Sequence, residues 1–326
     1  AIAQVNGQVP RAIDRHQRNF YAENWDFSIE QRLPSSFVGS VTYSGSEAHR
    51  FSSRGFVNLI DPATGLRPLA AFGQIDTKLG DGNSNFNSLQ ASTRRSFARG
   101  WMVQAQYMWS HSINDASTGG GESKQPENVA CRACDRGSSD FDVRHTFSLN
   151  WVYALPALSH NGAFARNVLG GWKLNGLAAA RTGLGMTVAA KRSAKDLPDG
   201  NTKNQRASYN GLDPYLPNPS PDGWLNPAAS ITPLKGVWGN SGRNNLRGAG
   251  LFQVDVGLEK QFRFGERNNL EFRAEAFNIA NRANFAVPDL SVADVGLFGK
   301  ISSILNNGAT GTGTARQIQL MLRFNF

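Results

Sequence analysis

Apolar and polar residues alternate along most of this chain with a period of two. Between Val143 and Leu155 the odd positions are Val143, His145, Phe147, Leu149, Trp151, Tyr153 and Leu155, and the even ones Arg144, Thr146, Ser148, Asn150, Val152 and Ala154. Successive side chains of a strand face opposite ways, so the segment predicts a strand with one greasy face and one mostly polar face. It is about twice as long as the usual strand of a globular sheet. The same alternation sets Trp101, Val103, Ala105, Tyr107 and Trp109 against Met102, Gln104, Gln106, Met108 and Ser110. It recurs at Phe252, Val254, Val256 and Leu258, at Leu270, Phe272, Ala274 and Ala276, and at Ile318, Leu320, Leu322, Phe324 and Phe326. Weaker alternation covers 25–33, 37–43, 51–60, 71–79, 86–97 and 172–188, giving about eleven strands, with 1–20 holding the remnant of another strand or loop. No useful stretch carries a helical period.

Two architectures bury one face of such strands. A soluble sandwich turns the apolar face inward, whereas a transmembrane barrel turns it to lipid and lines its lumen with the polar face. The barrel is favoured on four grounds. The strands are long enough for the ~9–11 residues a barrel strand needs to cross a bilayer. Trp101 and Trp109 point the same way and, at ~3.3 Å per residue and ~40° tilt, stand roughly 20 Å apart in height, near the spacing of two aromatic girdles. Glu271, Arg273 and Glu275 charge one polar face, as a wet lumen allows. Tight turns at 33–36, 98–100 and 265–267 contrast with long connections near 115–139, 191–249 and 281–314. The expectation is an all-β, transmembrane antiparallel barrel, with 21–326 as a partial outer-membrane barrel bearing long extracellular loops.

Composition agrees once its limits are seen. With 40% hydrophobic and 10% aromatic residues the chain is no disordered segment. Two cysteines in 326 residues exclude a disulfide scaffold. No apolar stretch approaches the roughly 18 residues of a spanning helix, but the mean hydropathy of −0.39 excludes only that. Strands that show every second residue to a lumen average out as polar. The net charge of +9 comes from Lys and Arg scattered singly, with pairs only at Arg94-Arg95 and Lys191-Arg192, so no nucleic-acid partner is expected. The opening AIAQVNGQVP lacks the regions of a signal peptide, as in a mature chain or a piece of a longer one.

Site chemistry is sparse. The five histidines (His16, His49, His111, His145, His160) form no pair at metal-ligand spacing, and neither HExxH nor GxSxG occurs. His145 points to the lipid side, as the histidine of a twelve-stranded phospholipase barrel does, but no serine can be placed beside it, and a rim residue is the better account. No catalysis and no cofactor or metal are expected. Cys131-Arg132-Ala133-Cys134 leaves three readings open: a local disulfide first, incidental thiols second, metal or redox chemistry last. The stretch 191–249 holds seven prolines, seven glycines and a local charge of +4, with Tyr209, Tyr215, Trp224 and Trp238. These aromatics are candidate contacts for sugars or an anionic surface, against the plainer reading of a loop packing its own rings over a barrel mouth.

The run Phe272-Arg273-Ala274-Glu275-Ala276-Phe277-Asn278-Ile279-Ala280-Asn281-Arg282-Ala283-Asn284-Phe285 resembles the FRAEAFNxxNxxNF segment of TonB-dependent receptors of the Oar-like subgroup. In the same order, 107–112 (YMWSHS), 139–145 (SDFDVRH), 170–174 (GGWKL), 242–248 (GRNNLRG), 298–301 (FGKI) and 316–320 (RQIQL) also fit that family. The resemblance implies an outer-membrane barrel of about 22 strands around a plug domain, energised through TonB, importing a bulky substrate into a Gram-negative cell. It also implies that Phe324 and Phe326 are the terminal signal read by the barrel-assembly machinery. The chain has no room for a plug and shows no TonB-contacting box, so the expectation is the carboxy-terminal half of such a receptor. Its partners would be outer-membrane lipid, the missing amino-terminal half and plug, and TonB through that missing part. Asp142, Arg144, Glu271, Arg273 and Glu275 are the candidate lumen residues along the substrate path, or a plain polar lining. The alternative is a passive porin-like channel of about twelve strands formed by this chain alone.

Overall fold

The computed structural model describes residues 10–119, 122–123, 125–158, 162, 164–264, 268–306 and 312–326. Among them one sheet holds eleven strands. Nine are long: β1 (Tyr21–Leu33), β2 (Phe37–Val57), β3 (Ile75–Ala98), β4 (Trp101–Asn114), β5 (His145–Ala154), β6 (Lys173–Arg181), β7 (Leu251–Phe264), β8 (Asn268–Phe277) and β9 (Gln317–Asn325). They form a meander in which each pairs antiparallel with its neighbours in sequence. Two short strands complete the eleven. Arg11–Ile13 runs parallel to the start of β3, and Gly137–Ser138 pairs with the end of β4. Among the described residues no helix is long and apolar enough to cross a membrane.

The register carries the alternation across the sheet. Val41, Ala91, Tyr107, Phe147, Ala180 and Phe252 are successive cross-strand partners on one face. Ser40, Ser92, Gln106, Ser148 and Ala179 are partners on the other. The apolar face is not packed against protein: Phe27, Ile29, Leu320 and Leu322 are all exposed. A sheet that leaves its apolar face open is built for lipid, not for a sandwich core.

Two pairs of expected strands are single strands. Segments 37–43 and 51–60 join as β2, which ends at Val57, and 71–79 and 86–97 join as β3, which begins only at Ile75, so 58–60 and 71–74 belong to the connection between them. The reason lies in irregularities of the ladder between His49 and Phe51 and between Phe51 and Ser53. A bulge adds one residue to one strand and flips the face of everything beyond it, so a continuous strand reads as two. The 172–188 segment stops at Arg181, and Met186 and Val188 enter a loop core instead.

Connections differ sharply at the two ends. At one, β1 turns into β2 through Pro34–Ser36, and β3 into β4 through Arg99 and Gly100, both at positive φ (51° and 85°). Residues 155–172 join β5 to β6 there, and the expected turn at 265–267 lies outside the described residues. At the other end run the connections 58–74, 115–144, 182–250 and 278–316.

The lipid-type face ends in rings on both sides. Near the short turns Phe37 meets Trp101 edge-on (5.7 Å) and Trp172 meets Phe272 (6.1 Å). Two cations lie among them. Arg95 covers the Trp101 ring at 3.9 Å and donates to the carbonyls of Ser35, Ala98 and Trp101. Lys260 sits between Trp172 and Phe262 and donates to the carbonyls of Val168 and Gly170. Each charge is thus turned onto backbone oxygens at the rim, as snorkelling side chains do. Near the long loops Tyr107 stacks on His145, with its hydroxyl 2.7 Å from Nδ1.

Candidate functional site

The long loops build a second structure over one end of the sheet, and it holds a buried apolar cluster. Met186, Val188, Ala207, Leu225, Leu246 and Phe298 form that cluster, and Tyr209, Tyr215, Trp224, Leu290 and Val292 pack against it. Three of the four candidate contact aromatics therefore lie against the loop core, while Trp238 is half-buried. Gly299, at φ 76°, is where the chain passes Leu225, because a Cβ there would meet the Leu225 carbonyl oxygen at 2.8 Å. Trp224 N–H donates to the Gly299 carbonyl (2.7 Å) and Ile301 N–H to that of Pro221 (2.7 Å).

Three short runs singled out in the sequence converge beneath this cluster. From the end of β4, Ser110 donates to the Val143 carbonyl (2.7 Å) and Ser112 Oγ meets Ser139 Oγ (2.7 Å). Asp142, 1% exposed, is the hub. It accepts from the Ser112 N–H (2.7 Å), His111 Nδ1 (3.2 Å), Arg144 Nε (3.1 Å) and the Arg247 guanidinium. Burial opposes its charge, but the Ser112 N–H, Arg247 and His111 outweigh burial and hold the carboxyl below the ordinary range. Asn244 Nδ2 adds bonds to the Ser138 carbonyl (2.8 Å) and Asp140 Oδ1 (2.7 Å).

A second network joins loop 115–144 to loop 182–250. Arg206, 6% exposed, pairs with Glu127 Oε2 (2.9 Å) and with Asp135, and donates to the Cys134 carbonyl (3.3 Å). Arg243 donates to the Asp135 carbonyl (2.7 Å), to Ser117 Oγ (3.0 Å) and to Asn114. Burial raises the Glu127 carboxyl above its ordinary value despite Arg206. Cys131 and Cys134 are joined as a disulfide that closes the turn Arg132–Asp135. That turn is a clip: Arg132 reaches Asp81 (2.8 Å) and Ser53 (2.9 Å) on the β2–β3 hairpin, and Asp135 reaches Arg206.

A cavity of about 210 Å³ lies between the two loops. Asp115, Ala116, Ser117, Gln125, Thr187, Arg206 and Arg243 are among the residues that wall it. Apart from Arg243, which falls in the GRNNLRG run, these were invisible as site residues: single polar residues in Pro- and Gly-rich loops have no period to betray burial.

The remaining lumen candidates lie elsewhere. Glu271, Arg273 and Glu275 share the polar face of β8, where Arg273 approaches Glu271 (3.0 Å), Glu259 (3.8 Å) and Glu275 (3.9 Å). Glu271 faces Arg323 of β9. After β8, Asn278 and Asn281 take positive φ (both 49°). Asn278 donates to the carbonyls of Arg282 and Thr314 (2.8 Å each), so the asparagines of this run fasten the last long loop.

The geometry is that of a lipid-facing antiparallel wall with a polar inner side and a loop cap, and comparison with known families agrees. A family model described as an outer membrane beta barrel domain matches residues 1–319. The chain belongs to that family. This outer-membrane barrel domain therefore resides in the bacterial outer membrane, with its apolar face against lipid. Among solved structures, the outer membrane transporter YddB from Escherichia coli is similar at 11% identity and a TM-score of 0.49. That similarity covers 95% of this chain and 33% of the transporter, so the barrel domain spans about a third of that protein's length. No curated protein matches its sequence.

Proposed function

We propose that this barrel domain is the carboxy-terminal part of a TonB-dependent receptor of the Oar-like kind, serving energised uptake of a bulky substrate across the outer membrane. The long-loop end faces outward and gathers substrate. The short-turn end, where the chain reaches Phe324 and Phe326, faces the periplasm and presents those rings to the barrel-assembly machinery. The observation that carries this reading is the pair of sheet edges. β1 pairs only with β2 and β9 only with β8, and no ladder joins them among the described residues. Each backbone group left unpaired in lipid costs several kcal/mol, so further strands of the receptor complete the wall. The charged inner face of β7 to β9 and the ordered family-like runs support the same reading.

The test is functional reconstitution. The full-length receptor is expected to bind the periplasmic domain of TonB in a pull-down, and the purified 326-residue chain to give no discrete openings in planar bilayers. Steady single-channel openings from this chain alone would replace the reading with a passive porin-like channel. Absence of TonB binding by the full-length protein would remove energised transport.

A further inference from the structure

We infer that the cleft between the 155–172 connection and the end of β7 holds the phosphate headgroup of one anionic membrane phospholipid, in the leaflet at the short-turn end of the wall. The inference rests on the lipid-facing sheet and needs nothing from TonB or from transport. β6 begins at Lys173, whose partner on β7 is Glu259. Beyond that pair, residues 260–264 of β7 are joined to β8 alone among the described residues, which leaves a notch in the sheet. The 155–172 connection turns back across the notch on the apolar side. Lys260, Phe272 and Leu322 are successive partners in one row of the apolar face. The Lys260 ammonium donates to the Val168 carbonyl (3.1 Å) and to that of Gly170. Trp172 Nε1–H donates to the same Val168 carbonyl (3.0 Å), with its ring edge-on to Phe272. The helical turn Ala165–Leu169 is thereby held on the side of the wall that meets lipid.

The cleft combines the two kinds of surface that a phospholipid requires. It encloses about 730 Å³, within the roughly 300–1,000 Å³ of pockets that take drug-sized ligands. Its wall carries four cations, Arg166, Lys173, Lys260 and Arg263, against one carboxylate, Glu259. Glu259 is shared between Lys173 (3.5 Å) and Arg273 (3.8 Å). Among the described residues Lys260 meets carbonyl oxygens and no carboxylate, and the exposed Arg166 and Arg263 meet no carboxylate either. Such an excess of positive charge at a membrane edge attracts phosphate, and a guanidinium can grip two of its oxygens at once. Beside these cations the apolar side chains of Phe164 (70% exposed), Val168, Leu169 and Phe264 stand open. A soluble anion gains nothing from them, whereas acyl chains cover them and continue the lipid contact of the wall.

The test is photo-crosslinking of the full-length protein in neutral-detergent micelles doped with phosphatidylglycerol that carries a photoreactive group in its headgroup. Labelled peptides are mapped by mass spectrometry, and label is expected on 164–173 and 260–264. Arg166→Gln is expected to lower that labelling about fivefold, as loss of one cation near an anionic surface predicts. Arg166→Lys, which keeps the charge, should change it far less, and the heat-modifiable mobility of both variants should match that of the unaltered barrel. Arg263→Gln, on β7, is expected to act in the same direction as Arg166→Gln, so the outcome does not hang on one variant. Unlabelled phosphatidylglycerol should displace the probe, phosphatidylcholine should do so more weakly, and diacylglycerol, which lacks the phosphate, should not. Label confined to other parts of the wall, labelling indifferent to both glutamine variants, or displacement by diacylglycerol as readily as by phosphatidylglycerol overturns the inference. Displacement by inorganic phosphate as effective as by the lipid would make the cleft a site for soluble anions and overturns it too. TonB binding is read separately, so failure of the lipid site and failure of the transport reading are told apart.

Discussion

Asp142 shows how one carboxylate fastens a loop cap to a strand end. It has two guanidinium partners, one from its own loop and one, Arg247, from a loop about a hundred residues away in sequence. Arg247 is itself about a quarter exposed (27%), so the penalty for breaking a fully buried ion pair does not apply. Loss of a charge-assisted hydrogen bond is the better measure. Arg247→Ala is expected to weaken docking of loop 182–250 by about 1.5–3 kcal/mol, seen as faster amide hydrogen exchange in that loop with unchanged exchange in β4 and β5. Protection of the loop unaffected by the substitution would show that the apolar cluster alone holds the cap.

The same carboxyl sets a pH dependence. Its folded value lies below its unfolded one, so its contribution is complete above an unfolded value of about 3.9 and is lost as pH falls through the folded value. Glu127 has the opposite sign. Its raised folded value means its contribution is greatest in acid and declines as pH rises through that value. Loop protection is therefore expected to drop below about pH 4. In Asp142→Asn that acid limb should shrink to the small part left by Asp294, which Lys191 holds below its ordinary value at the surface, against the opposing slopes of Glu127 and Asp199, both raised by burial. An acid limb undiminished in Asp142→Asn would assign it to another group.

At the scale of elements, legibility followed the period. β5 and β8, which alternate without interruption, could be read to within a residue or two from the chain alone. β2 could not, because the irregularities around Phe51 shift its faces halfway along. The loop cap was the hardest element to foresee. Its core residues Met186, Val188 and Leu225 have neither helical nor strand spacing, and its polar contacts join residues more than seventy positions apart, as in Arg206 with Glu127 and Asp135. The Cys131–Cys134 link ties a four-residue turn, for which loop closure gives roughly 2 kcal/mol of local stabilisation. Replacing both cysteines by serine is expected to leave the heat-modifiable mobility of the barrel unchanged. Protease cleavage in the 115–144 connection should accelerate by about tenfold or more. Equal cleavage rates would mean that Arg132 and Asp135 hold the clip without it.

The whole molecule stands or falls on which face of the sheet meets lipid. Ala178 and Ala179 are adjacent small residues in the middle of β6, and they make a clean test. Ala178 is partnered by Leu149 and Val254, in the same row as Ala105, midway between Trp101 and Trp109. Ala179 is partnered by Ser148 and Gln253 on the polar face. Arginine on the lipid side near the bilayer midplane costs about 2–4 kcal/mol, whereas a lumen position tolerates charge. In urea titrations of the full-length protein folded into lipid vesicles, Ala178→Arg is expected to lose that amount and Ala179→Arg less than about 1 kcal/mol. The two side chains differ by one position and add the same volume and charge, so unequal losses report the face and nothing else. Equal losses would mean that protein covers both sides of β6, and a reversed order would turn the wall inside out.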